Sequence, residues 1–166
     1  MLFRSNTPYD EQGEWSATGA LIEPLLERML AAPYFARPHP KSTGPELFNL
    51  DWLANFLDGT EEPVDVQRTL LELTTESLAR ALADTPIQVV RVCGGGARNR
   101  FMMRRLSECL PHCEVTTTEA MGVDPIWVEA WAFAWLAEQT VTGRTGNVPA
   151  VTGAKGPRVL GGLYPA

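Results

Sequence analysis

The chain has no apolar run long enough to cross a bilayer. Its longest, Ala130–Ala137, falls far short of the roughly 20 residues that a spanning helix needs. Basic residues are in the minority: 14 Lys and Arg against 20 Asp and Glu give a formal net charge of -6. That argues against a general nucleic-acid binder, which carries a basic face. Cysteine is scarce and odd in number, at Cys93, Cys109 and Cys113, with no C-x-x-C or zinc-ribbon spacing. Cys109, His112 and Cys113 form a loose group without a fourth ligand for a metal. Ordinary reduced thiols in a reducing cytoplasm are the better reading. Met1–Ser5 lacks the length and apolar core of a secretory signal, so a soluble protein without membrane contact is expected.

What is present suffices for one folded domain. The 166 residues are 45% apolar, enough to bury a core rather than stay disordered. Met1–Thr7 reads as unstructured and unrelated to the rest of the chain. Gly13–Ala32 reads as a helix, because Leu21, Ile22, Leu25, Leu26, Met29 and Leu30 recur at helical spacing, and Pro33 ends it. Ala36–Glu46 is a Pro/Gly/Ser-rich loop, and Leu50–Leu57 a short helix. Asp65–Leu82 is a long amphipathic helix, with Val66, Leu70, Leu73, Leu78 and Leu82 on one stripe.

Ile87–Cys93 is rich in β-branched residues and reads as a strand. It runs into Gly94-Gly95-Gly96-Ala97-Arg98-Asn99 and a helix ending near Leu110. Glu114–Thr118 is a second strand. Asp124 and Pro125 supply an N-cap and a first helical position for a helix to about Thr142. Gly143–Lys155 is a loop and Val159–Tyr164 a last short strand. Strand, glycine turn, helix, strand, helix is the order of an α/β layer with parallel pairing. Two or three strands make a thin sheet for so many helices, as expected of part of a larger α/β structure.

Three features carry chemistry. The glycine run at a strand end lets backbone approach a ligand closely, and the next helix offers free N–H groups there; a nucleotide turn and a tight turn with no ligand remain equally open. It is neither a phosphate loop ending in Gly-Lys-Ser/Thr nor a dinucleotide fingerprint, since Asn99 stands at the third glycine. Arg98, Arg100, Arg104 and Arg105 are near enough to contact a phosphate. Glu129 lies in a helix that is apolar on nearly every side, hence expected to be buried. Its carboxylate then needs a partner or a cleft, although on spacing alone an acid near a helix start is the better reading. Trp127, Trp131 and Trp135 on that helix read as core. Lys41-Ser42-Thr43-Gly44 has the residue types of a phosphate or sugar grip, but a surface turn is the commoner meaning.

In order and spacing, PYFARPHPKSTGPELFN, DVQRTLLELTTESLARAL, VCGGGARN, MMRRL, VTTTEAMGVDPIWVEAWAFAWLA and NVPAVTGAKGPRVLGGLYP together resemble the C-terminal half of the anhydro-N-acetylmuramic acid kinase family. The resemblance covers about Pro8 to Pro165. It implies the ribonuclease-H-like lobe of the actin-like ATPase and sugar kinase fold, truncated at the N-terminus. It also implies a homodimeric enzyme of cell-wall recycling that uses ATP and Mg²⁺. Such an enzyme opens the anhydro ring of an amino sugar with water and phosphorylates the sugar O6. Gly94, Gly95, Gly96 and Asn99 then match the nucleotide-side turn, and Glu129 the acid facing the sugar, which reverses the spacing-only reading of Glu129. Pro45 stands where the family usually has arginine. The phosphate-binding segment and the Asp-Thr-Gly-Pro-Gly-Asn segment with the catalytic base have no counterpart here. The expectation is a fragment, residues 8–166, behind a non-native start at 1–7, that does not catalyse phosphoryl transfer alone. The rivals are a non-catalytic nucleotide-binding or regulatory lobe and an unrelated small α/β binding protein.

Overall fold

The computed structural model describes residues 9–164. The proposed non-native start at 1–7 lies outside them. Two single 3-10 turns, Glu11–Gly13 and Ser16–Thr18, precede helix α1, Glu23–Leu30. The helix expected over Gly13–Ala32 is thus shortened to its last part. Packing explains the difference: the N–H of Ala20 donates to Asp65 Oδ1 at 2.7 Å and that of Ile22 to Thr69 Oγ1 at 3.1 Å. These amides serve a neighbouring helix and are unavailable for an intrahelical ladder. At Gly19 a Cβ would sit 2.4 Å from the Val64 carbonyl oxygen, so only glycine allows this approach.

Helix α2, Leu50–Ala54, is capped by Asn49, whose side chain accepts from the Trp52 N–H at 2.9 Å. Helix α3, Pro63–Leu82, begins with proline at its first position and covers the expected segment. Of the expected stripe Val66 and Leu73 are buried, but Leu78 is exposed and Leu71 is buried in its place. Strand β1, Val89–Val92, leads through the glycine turn to helix α4, Arg100–Cys109, and strand β2, Glu114–Thr117. The strands pair in parallel, Val89 opposite Glu114 and Val92 opposite Thr117, so β1, α4 and β2 form one βαβ unit. The structure is therefore α/β with a two-stranded parallel sheet. Helix α5, Val128–Val141, and the short α6, Pro149–Thr152, complete the described elements. No strand forms over Val159–Tyr164. The chain instead docks locally: Gly146 N–H donates to the Arg158 carbonyl at 2.9 Å, and Asn147 Oδ1 accepts from the Arg158 N–H at 2.7 Å.

Two cores lie along α3. Leu25, Met29, Leu30, Leu53, Val66 and Leu73 form the first, between α1, α2 and α3; Leu25 and Met29 are wholly buried, each contributing about 1.5–3 kcal/mol. Ala79, Leu106 and Leu110 form the second, under Val90, Val92 and Val115 of the sheet. Polar glue joins α3 to α4. Buried Glu72 accepts from Arg105 Nη2 at 2.7 Å and Nε at 3.1 Å, and also from Arg68. Burial alone would raise the Glu72 carboxyl; these hydrogen bonds and charges overcome that and hold it below the ordinary carboxylate value.

The expected burial of α5 does not hold. Trp127, Trp131 and Phe133 are 59%, 63% and 64% exposed. A helix apolar on every side demands cover, but nothing among the described residues covers these side chains.

Candidate functional site

The strand β1 backbone ends at Cys93, and Gly94 then takes a left-handed φ of 76°. Its N–H donates to the Pro125 carbonyl at 2.8 Å, which ties the glycine turn to the segment leading into α5. Gly95–Arg98 make a single 3-10 turn. Asn99 caps α4, its Oδ1 accepting from the Met102 N–H at 2.8 Å. The glycines differ in their reasons. Gly94 needs positive φ. At Gly96 a Cβ would meet Met102 Cε at 2.9 Å, the mobile end of a side chain. At Gly95 a Cβ would meet nothing within 4 Å, and its φ is not left-handed. Neither local geometry nor packing among the described residues requires glycine there.

Gly95 opens into a groove of about 820 Å³ whose floor and one wall run from Gly95 to Arg100. The facing wall is Tyr9–Gln12, with Ile126 at the rim. This wall is fixed: the Asp10 carboxylate accepts from the N–H groups of Trp15 and Ser16 at 2.9 and 3.2 Å. Gly13 packs so tightly on the Asn99 side chain that a Cβ would lie 2.2 Å from Oδ1. Sequence reasoning misses Tyr9–Gln12; the one available signal is Asp10 three residues before Gly13, the pattern of a side chain closing a turn on backbone N–H groups.

The groove brings Gly95, Gly96 and Asn99 together; Gly94, adjacent in the chain, is not among its lining residues. Glu129 does not line it. Glu129 sits exposed in the first turn of α5, with no hydrogen bond or ion pair among the described residues. Since the helix around it is exposed, its carboxylate stays solvated and needs no partner to offset burial.

The remaining candidates have local roles. Lys41 Nζ donates to the carbonyls of Tyr34 and Phe35 at 3.4 and 3.0 Å and lies 5.1 Å from the Tyr34 ring centre, which anchors the Pro-rich loop. Cys109 and Cys113 pack against the second core, and the Cys113 thiol donates to the Ile87 carbonyl. Burial, reinforced by the charges of Glu72 and Glu76, pushes the Cys109 thiol up. Among the described residues no three His, Cys, Asp or Glu side chains are grouped to hold a metal, and no helix is long and apolar enough to cross a membrane.

Residues 3–166 match the family described as anhydro-N-acetylmuramic acid kinase. Curated relatives carrying that name include a protein of Nitrosospira multiformis, 51% identical over 160 residues, which are 95% of this chain and 44% of the relative. One from Bordetella avium is 51% identical over 162 residues, 95% and 43% of the two chains. One from Nitrosomonas europaea is 49% identical over 168 residues, 99% and 46%. The chain thus spans a little under half the length of these relatives.

Proposed function

Because the chain belongs to the anhydro-N-acetylmuramic acid kinase family, we propose that it forms the C-terminal, nucleotide-side part of a kinase that opens the 1,6-anhydro ring of anhydro-N-acetylmuramic acid with water and delivers phosphate to the sugar O6. The product is N-acetylmuramic acid 6-phosphate, within cytoplasmic cell-wall recycling, and the full-length enzyme is a homodimer. In this reading the βαβ unit belongs to a ribonuclease-H-like lobe of the actin-like ATPase fold.

The observation that carries it is Gly95: a glycine that no packing among the described residues explains, opening into a groove, fits close backbone approach by a nucleotide. ATP would supply the phosphoryl group, and Mg²⁺ bound with it would offset the charge that develops there. Gly94–Gly96 give that nucleotide a surface free of side chains, and Asn99 holds the turn in shape by capping α4. No carboxylate cluster for Mg²⁺ is found among the described residues. Glu129 is the acid that contacts the sugar.

The catalytic aspartate segment implied by the resemblance is not among these 166 residues. Without a general base, a loss of about 10²–10⁴-fold is expected, and alignment of the attacking water with the γ-phosphate is lost as well. A coupled ADP-release assay with anhydro-N-acetylmuramic acid is the test. The 166-residue chain is expected to bind ATP weakly and to show no turnover, whereas a form extended to the relatives' full length turns over in a sugar-dependent way. Turnover of about 1–100 s⁻¹ from the short chain overturns the division of labour. An extended form that binds ATP but ignores the sugar favours the non-catalytic lobe instead.

A further inference from the structure

Five arginines surround α4, and the structure separates them by what they already hold. Arg68 and Arg105 are paired to buried Glu72, and Arg105 also to Glu108. Arg104 lies 5.0 Å from the Phe101 ring centre, with Glu108 3.8 Å away. Arg98 and Arg100 have no ion pair and no hydrogen bond to their side chains among the described residues. Both are exposed, and both line the glycine groove. Asp10 and Glu11 also line the groove: both Asp10 carboxylate oxygens accept from backbone N–H groups of its own turn, and among the described residues neither acid forms an ion pair with Arg98 or Arg100. Two unpaired guanidiniums beside an open, side-chain-free turn make a site for an anion with several oxygens, which the planar guanidinium fork suits.

We propose that the groove holds its nucleotide with the phosphate chain against Arg98 and Arg100, so that this part of the kinase binds the polyphosphate and not the nucleoside alone. The inference rests on the nucleotide reading of the glycine turn. Arg104 and Arg105, equally near in sequence, take no part because their charges are already engaged. Ligand affinity then rises with phosphate number, from adenosine through AMP and ADP to ATP, and the gain shrinks with added salt, which screens exposed charges.

Isothermal titration of the 166-residue chain with those four ligands at two salt concentrations tests this. Arg98→Gln and Arg100→Gln are each expected to weaken ATP about tenfold, the scale of one charge-assisted hydrogen bond, and to leave adenosine unchanged. Arg91→Gln removes an exposed charge from β1, outside the groove, and leaves every affinity unchanged. Since neither groove arginine has a partner within the described residues, thermal melts of both variants match wild type. Equal affinity for adenosine and ATP, or an equal loss from Arg91→Gln, overturns the arginine assignment. If Gly95→Val still abolishes binding in that case, the nucleotide reading survives. A wild-type chain that binds none of the four ligands overturns both.

Discussion

Replacing Glu72 by glutamine removes one charge from the junction of α3 and α4 while keeping its shape. Removing one partner of a buried pair typically costs about 3–5 kcal/mol, because the other charge stays behind in low dielectric. The lower end applies here. Arg105, with its side chain 28% exposed, retains Glu108, whereas Arg68, 12% exposed, loses its only acidic partner among the described residues. A loss of about 3 kcal/mol corresponds to a fall in Tm of about 6–12 °C for a chain of this length. The pH dependence has a definite sign. The folded carboxyl titrates below its unfolded value, so its stabilisation is complete at neutral pH and is lost as acid protonates the folded form. Urea unfolding of wild type and Glu72→Gln should therefore differ most at pH 7 and converge below about pH 4. Adding Arg105→Met should cost less in the Glu72→Gln background than in wild type. A gap under about 1 kcal/mol at pH 7, or one of equal size at pH 7 and pH 3, would refute the reasoning.

Gly13→Ala should destabilise by about 3 kcal/mol, combining a positive φ of 77° with a clash on Asn99; equal denaturant midpoints for variant and wild type would contradict the packed wall. Trp131→Ser and Phe133→Ser alter exposed positions of α5, so folding stability should stay within about 0.5 kcal/mol while apolar-dye binding and self-association fall; sedimentation reads this, and unchanged association removes α5 as the adhesive face. Glu129→Gln should leave the melt of the chain unchanged and lower sugar-dependent turnover of the full-length form about tenfold or more, and unaltered kinetics dismiss Glu129 from the site.

Elements dictated by local pattern are legible in the sequence. The α3 stripe, the β-branched β1 and the glycine turn each announce themselves within a few residues, and the βαβ order comes from their succession. Long-range contacts are not legible. Leu21 and Ile22 continue the helical spacing of α1, yet the nearby amides of Ala20 and Ile22 bond to Asp65 and Thr69, more than forty residues away. For the apolar α5, composition states what a helix needs and not whether its cover is at hand. In the candidate site, the glycines and Asn99 stand out, whereas the facing wall at Tyr9–Gln12 has little pattern of its own and becomes visible only when Gly13 meets Asn99. That Arg68 and Arg105 are already engaged depends on Glu72, hidden in the middle of α3.

Helix α3 has a consequence for how the molecule opens. It places Val66 and Leu73 in one core and Ala79 and Leu82 in the other, so it is the shared beam of two packing units. Either unit can loosen while the beam stays held by the other. Amide protons of α1 and α2, or of the sheet, then exchange through partial openings that leave the opposite unit intact. Those in the middle of α3 exchange only when both units release together, which makes this helix the slowest clock in the protein.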